Sequence, residues 1–229
     1  LLHNSAAPLY LSDKSRASHT GALRWSFPTD TGENKMQLLP FHKARVLLSN
    51  YTVKITMDIR TETGKLPRIC QADAPDNFKD LCASWRDTEL MTYAVASEGL
   101  AGSVYLPVPF GLGKVLPADT VNAYARYWHD YTHARYGLDF THTGELSTAW
   151  HQVFTLALKM RQCNMQPQEV FSACALLWAD TAGQALFFEQ NAGAFVTDQL
   201  AFGADLYANI PEQALRRIKG VIADTIRIC

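Results

Sequence analysis

From Ala118 almost to the end of the chain, apolar residues recur at the three- and four-residue spacing that lines one face of a helix. Leu146, Ala149, Trp150, Val153, Phe154 and Ala157 form one such stripe. Pro167 suits the first turn of a further helix running through Phe188. Two more helices are predicted, from Phe195 to Tyr207 and from Pro211 to Ile228, and Asp119 is placed to cap the helix that precedes Gly137. Upstream the pattern is less regular. Residues 75–97 read as helix, with Phe78, Leu81, Cys82 and Trp85 on one face and Asp76 as a cap. Between 36 and 60 two periods compete: MQLLPFHKARVLLSN reads as a helix after Pro40, while YTVKITMDI alternates like a strand. Residues 1–35 read as loop, and the glycines and prolines of SEGLAGSVYLPVPFGLGKVLP mark a connector or an entrance loop.

The expected fold is therefore mostly α. An irregular N-terminal segment, 1–70, holds whatever short strands exist and packs on a helical domain spanning 71–229. No internal repeat or low-complexity stretch is seen.

Composition narrows the partners. The 229 residues are 48% hydrophobic and 19% charged, with a net charge of −1. That is globular, with no basic footprint for nucleic acid. The densest basic group, Arg216, Arg217 and Lys219, reads as a solvated helix face. The five cysteines, at 70, 82, 163, 174 and 229, contain no C-x-x-C, so neither a disulfide framework nor a zinc ribbon is indicated. A reducing compartment follows, with Cys163 and Cys174 as buried thiols. No apolar run reaches about 18 residues, because Asp180 and Gln184 interrupt VFSACALLWADTAGQALFF, so no spanning helix is expected. The chain starts at Leu1 rather than Met, which leaves an upstream targeting segment open.

Candidate chemistry concentrates in WHDYTHARYGLDFTHTGE, which contains H-D-x-x-H-x(11)-E. His129 and His133, four residues apart, stack on one helix face. Asp130 lies about 100° round from His129 and about 60° from His133 at 3.6 residues per turn. Gly137 stops that helix, Thr143 suits the cap of the next, and Glu145 falls in its first turn. An antiparallel helix pair would return Glu145 to the histidine face. Two imidazoles and two carboxylates, His129, Asp130, His133 and Glu145, suit one divalent ion: zinc first, then iron or manganese. His142 and His151 could serve as outer partners of these ligands, or be surface histidines.

With Gly137 and the Gly144–Glu145 pair, this motif resembles that of the coenzyme Q (ubiquinone) biosynthesis protein 4 family. Upstream, Glu98, Gly99, Gly102, Tyr105 and Leu106 resemble the family's E-G-x-x-G-x-x-Y-L element. Downstream, PEQALRRIKGVIADT looks like its closing amphipathic helix. The resemblance covers roughly 85–228, most firmly 98–160. It implies an all-helical fold with zinc at the four motif residues. The implied work is removal of the C1 carboxylate of a polyprenylated hydroxybenzoate, with hydroxylation at that carbon. Asp130 and His133 would be catalytic; Gly102, Tyr105, Trp150 and His151 would hold the substrate. It further implies a cytoplasmic, peripheral place on the inner membrane (the matrix face in a mitochondrion), other quinone-biosynthesis proteins as partners, and room for a homo-oligomer.

Two other readings compete. One is a non-catalytic scaffold binding a prenyl lipid along Phe171, Leu176, Leu177, Trp178, Leu186, Phe187 and Phe188, which otherwise read as plain core. The other is an HD-type phosphohydrolase, for which His42, Asp180 and Asp224 have no supporting spacing. A ferritin-like di-iron site is weaker still, since E-x-x-H does not occur.

Overall fold

Pro40, extended at φ −51° and ψ 140°, leads into the first helix, α1 (Phe41–Thr63), which Gly64 closes in the left-handed conformation at φ 73°. The computed structural model describes residues 37–65, 68–70, 75, 77–87, 92–94 and 102–226. The loop reading of 1–35 and the assignments to Asp76, Glu98 and Gly99 lie outside them.

The strand expected at 51–59 and the irregular segment around it are corrected by α1. Its buried positions Ala44, Leu48, Tyr51, Thr52, Ile55, Thr56 and Ile59 step by three and four residues, the helical period. Thr52 and Thr56 read as polar in the sequence and so imitated alternation. Both are fully buried at a helix–helix seam, and the Thr56 hydroxyl donates to the Tyr124 carbonyl at 3.4 Å.

Beyond α1 come β1 (Arg68–Cys70), α2 (Phe78–Asp87), β2 (Thr92–Ala94), β3 (Val108–Pro109) and β4 (Val115–Leu116). The first two strands pair in parallel with Arg68 opposite Thr92; the second two form a hairpin with Val108 opposite Leu116. Strand therefore extends past residue 70, against expectation, and occupies part of the helix predicted over 75–97. Strands of two or three residues are too short to show a period. Asn77 caps α2, its side-chain oxygen accepting from the Asp80 N–H at 2.9 Å.

The remainder is helical as predicted: α3 (Ala118–Tyr136), α4 (His142–Gln162), α5 (Pro167–Gln190), α6 (Gln199–Ala208) and α7 (Glu212–Ile226). Pro117, not Asp119, precedes α3 at the cap position. Asp198 starts α6 by accepting from the Ala201 N–H at 2.9 Å, four residues later than the apolar pattern from Phe195 implies. α5 is the central element. It packs against α1, α4, α6 and α7, while α3 lies across α1 and α4. Val170 to Ala179 are buried without a break, so Phe171, Leu176, Leu177 and Trp178 are core.

α5 also corrects the expectation that no segment has membrane-spanning character. An 18-residue window within it has mean hydropathy 1.3, but 67% of that window is buried inside the molecule. A core helix meets the same test, so length and composition alone are weak ground for membrane association. Cys174 is buried as expected; Cys163, at the end of α4, is exposed instead, because the helix terminus carries it out of the core.

Candidate metal centre

The site is built by the turn between α3 and α4. Gly137 adopts φ 67° and ends α3, its N–H bonding the His133 carbonyl. The chain reverses through 138–141. The Thr141 hydroxyl then caps α4, accepting from the Gly144 N–H at 3.2 Å. Thr141 rather than Thr143 is thus the cap, and Glu145 falls in the first turn, where the helix dipole favours a carboxylate.

The same turn orients His133. Its Nδ1–H donates to the Leu138 carbonyl at 2.8 Å. A carbonyl only accepts, so the proton sits on Nδ1 and the Nε2 lone pair is left free. Phe140 meets the ring edge-on at 4.9 Å, and the imidazole is fully buried. His129, one turn earlier, has its Nδ1 3.1 Å from the Gln152 side-chain oxygen. Both Nε2 atoms therefore point at one place. They stand 3.0 Å apart, and Glu145 Oε2 lies 3.1 Å from the first and 3.4 Å from the second.

Two imidazole nitrogens and a carboxylate oxygen at this separation need a proton or a cation between them. Four ligands about 2.0 Å from a tetrahedral centre stand about 3.3 Å apart, close to the distances seen. The donor set thus fits a divalent ion held by His129, His133 and Glu145. With no ion bound, charge is shared by proton. Burial opposes a charged His129, but Glu145, Asp130 and Gln152 outweigh it and lift its pKa to about 9. Burial likewise opposes charge on Glu145, yet the two histidines hold it down at about 2.

Asp130 does not join this group, which corrects the four-ligand set. One position along α3 turns its carboxylate about 100° from His129. It remains close enough to favour charge on that imidazole. One carboxylate rather than two would leave a bound dication with a formal surplus of +1. The side chains of His129 and Glu145 are about a quarter exposed, so the centre opens to solvent on that side.

The other assigned residues fall at different distances from this point. Tyr105 is buried in the segment before β3, held by α1: the Arg45 guanidinium donates to the Val104 carbonyl at 2.7 Å, and the Ser49 hydroxyl accepts from the Leu106 N–H at 2.9 Å. Gly102, at φ 56°, lets that segment lie against Leu200 of α6. Trp150 meets Trp178 at 6.3 Å and the Arg217 guanidinium at 4.2 Å, on the side of α4 towards α5 and α7. His151 stacks on Tyr136 at 4.1 Å, and His142 lies 3.0 Å from Glu189; neither is in the ligand group.

Two residues escaped the sequence reading. Gln152 sits two turns beyond Glu145 on the same face, hidden among apolar neighbours. Asp180 on α5 entered only as an interruption of an apolar run and as an HD-site candidate without supporting spacing. It is the one charged residue between Val170 and Phe188, which is itself a signal. Comparison of the chain with protein-family models, curated proteins and solved structures finds no match.

Proposed function

We propose that this protein is a metal-dependent enzyme of ubiquinone biosynthesis that exchanges the C1 carboxylate of a polyprenylated hydroxybenzoate for a hydroxyl, the carboxyl group leaving as carbon dioxide and dioxygen serving as the two-electron oxidant. The observation that supports a metal site is the convergence of His129 Nε2, His133 Nε2 and Glu145 Oε2. The choice of substrate rests on the resemblance of the motif around these residues. A bound dication would supply Lewis-acid polarisation of the substrate carboxylate or phenolate.

The chain's own residues do the rest. Leu138 and Gln152 fix the imidazoles so that their lone pairs face one point, and His133 is sealed from water. Glu145 supplies one negative charge only, which favours an anionic head group. Two imidazoles and one carboxylate serve both zinc enzymes and non-haem iron(II) oxygenases, so zinc and iron are both in keeping with the ligands. Tyr105 and Gly102 lie on the segment that would border the head group. The lipid substrate implies peripheral contact with a membrane and with other quinone-biosynthesis proteins.

The test is elemental analysis of purified protein, followed by assay of the stripped and reloaded forms with 3-geranyl-4-hydroxybenzoate. One ion per chain and carbon dioxide release restored by zinc or iron(II) are expected. Stoichiometric metal and tight binding of the lipid without turnover would replace this reading with the prenyl-lipid scaffold. Absence of metal would remove both catalytic readings.

A further inference from the structure

Asp180 lies in α5, which carries an 18-residue window of mean hydropathy 1.3, and there an unpaired carboxylate would be costly. It is closely surrounded, yet part of its side chain stays open to solvent. Tyr105 and Gln184 both hydrogen-bond it, the amide at 3.0 Å. Arg126 is near enough to favour its charge, and so is His129. Arg126 and His129 are three residues apart on α3, hence neighbours on one face. The Asp180 carboxyl therefore belongs to the same polar patch as the candidate ligands, but from a different helix. It forms no part of the ligand group itself.

Its partners are built in from far along the chain. Arg45 and Ser49 of α1 pin the backbone on either side of Tyr105, and so set where its hydroxyl reaches. Burial pushes the carboxyl up to about 6, so on the basic side of that value it is an acceptor of hydrogen bonds only. Polar groups on α3, α4 and α5 that keep solvent contact in an otherwise dry core suit a ligand with two polar ends: one for the ion, one for Asp180.

We propose that Asp180 is a specificity-determining residue that accepts a hydrogen bond from the ring hydroxyl of the ligand whose carboxylate meets the metal centre. This rests on the function proposed above. The acceptor would discriminate against a ring lacking that hydroxyl, because such a ring would cover the solvent-open part of the carboxylate without replacing its hydrogen bond to water.

The test compares 3-geranyl-4-hydroxybenzoate with 3-geranylbenzoate by calorimetry on the zinc-loaded protein. The wild type should favour the hydroxylated compound by at least about tenfold. Asp180→Leu should bind both within about twofold while keeping its zinc. Should Asp180→Leu fail to fold, Asp180→Asn, which weakens the acceptor with little change of shape, should cut the preference at least threefold. A preference that survives in the Asp180 variants, or is missing from the wild type, overturns the assignment while leaving the metal-site reading intact. Loss of zinc from the Asp180 variants also overturns it, since Asp180 would then act on the ligands. If neither compound binds the zinc-loaded wild type, the substrate reading itself fails.

Discussion

His133 is the most constrained of the three ligands, because its proton is fixed by a backbone carbonyl and its ring has no contact with water. His133→Ala should therefore abolish stoichiometric metal binding, read by elemental analysis of a variant whose circular dichroism shows it folded. Gln152→Leu should weaken metal affinity about 10–100-fold by freeing the His129 ring and tautomer. Asp130→Asn separates the structural reading from the four-ligand one. It should keep one ion per chain; a variant stripped of metal would restore Asp130 as a ligand. The same residues set a pH dependence in the metal-free protein. The His129 pKa is raised in the folded state, so its stabilisation is complete below about 6.5 and is lost as pH rises through about 9. That of Glu145 is depressed, so its stabilisation is present above about 4.5 and lost as pH falls through about 2. Thermal stability of the apo form should hence peak between pH 4.5 and 6.5 and fall towards pH 9. His129→Gln should flatten the alkaline fall.

At the scale of elements, the α3–α4 turn decides whether the ligands meet. Gly144 is required there by contact rather than by backbone angle. A Cβ at this position would stand 1.9 Å from the Asp139 carbonyl oxygen, and backbone cannot step aside as a flexible side chain can. Gly144→Ala should destabilise the protein by at least about 2 kcal/mol, measured by urea unfolding, and lower metal affinity by displacing Glu145. Thr141→Ala should cost about 1 kcal/mol through the lost cap and affect metal less. A Gly144→Ala protein with wild-type stability would mean that the turn at Asp139 packs less closely against the start of α4.

Over the whole molecule, α1 and the four helices around it share one core, although α1 belongs to the segment that reads as irregular in sequence. Leu48 is fully buried within that core. Leu48→Ala should cost about 2–5 kcal/mol, lowering Tm by roughly 5–15 °C. Unfolding followed by helix content and by tryptophan fluorescence should shift together in one transition. Two separated transitions would show that α1 and the 118–226 bundle fold as independent units.

Long amphipathic helices were legible in the chain because a period repeated over four or more turns identifies itself. So were His129, His133 and Glu145, since their convergence depends only on one helix turn, one glycine stop and one first turn. The sequence alone determined these local relations. Tertiary packing decided the rest. The helical state of 51–59 depended on burying Thr52 and Thr56, which a chain pattern counts as polar. The exclusion of Asp130 depended on which arc of α3 faces α4. Gln152 reaches His129 only because α4 packs on α3, and Asp180 comes near only because α5 packs in turn on α4 and α1. Spacing along one chain states the angle of a side chain about its own helix; it carries no information about which neighbouring helix that angle faces.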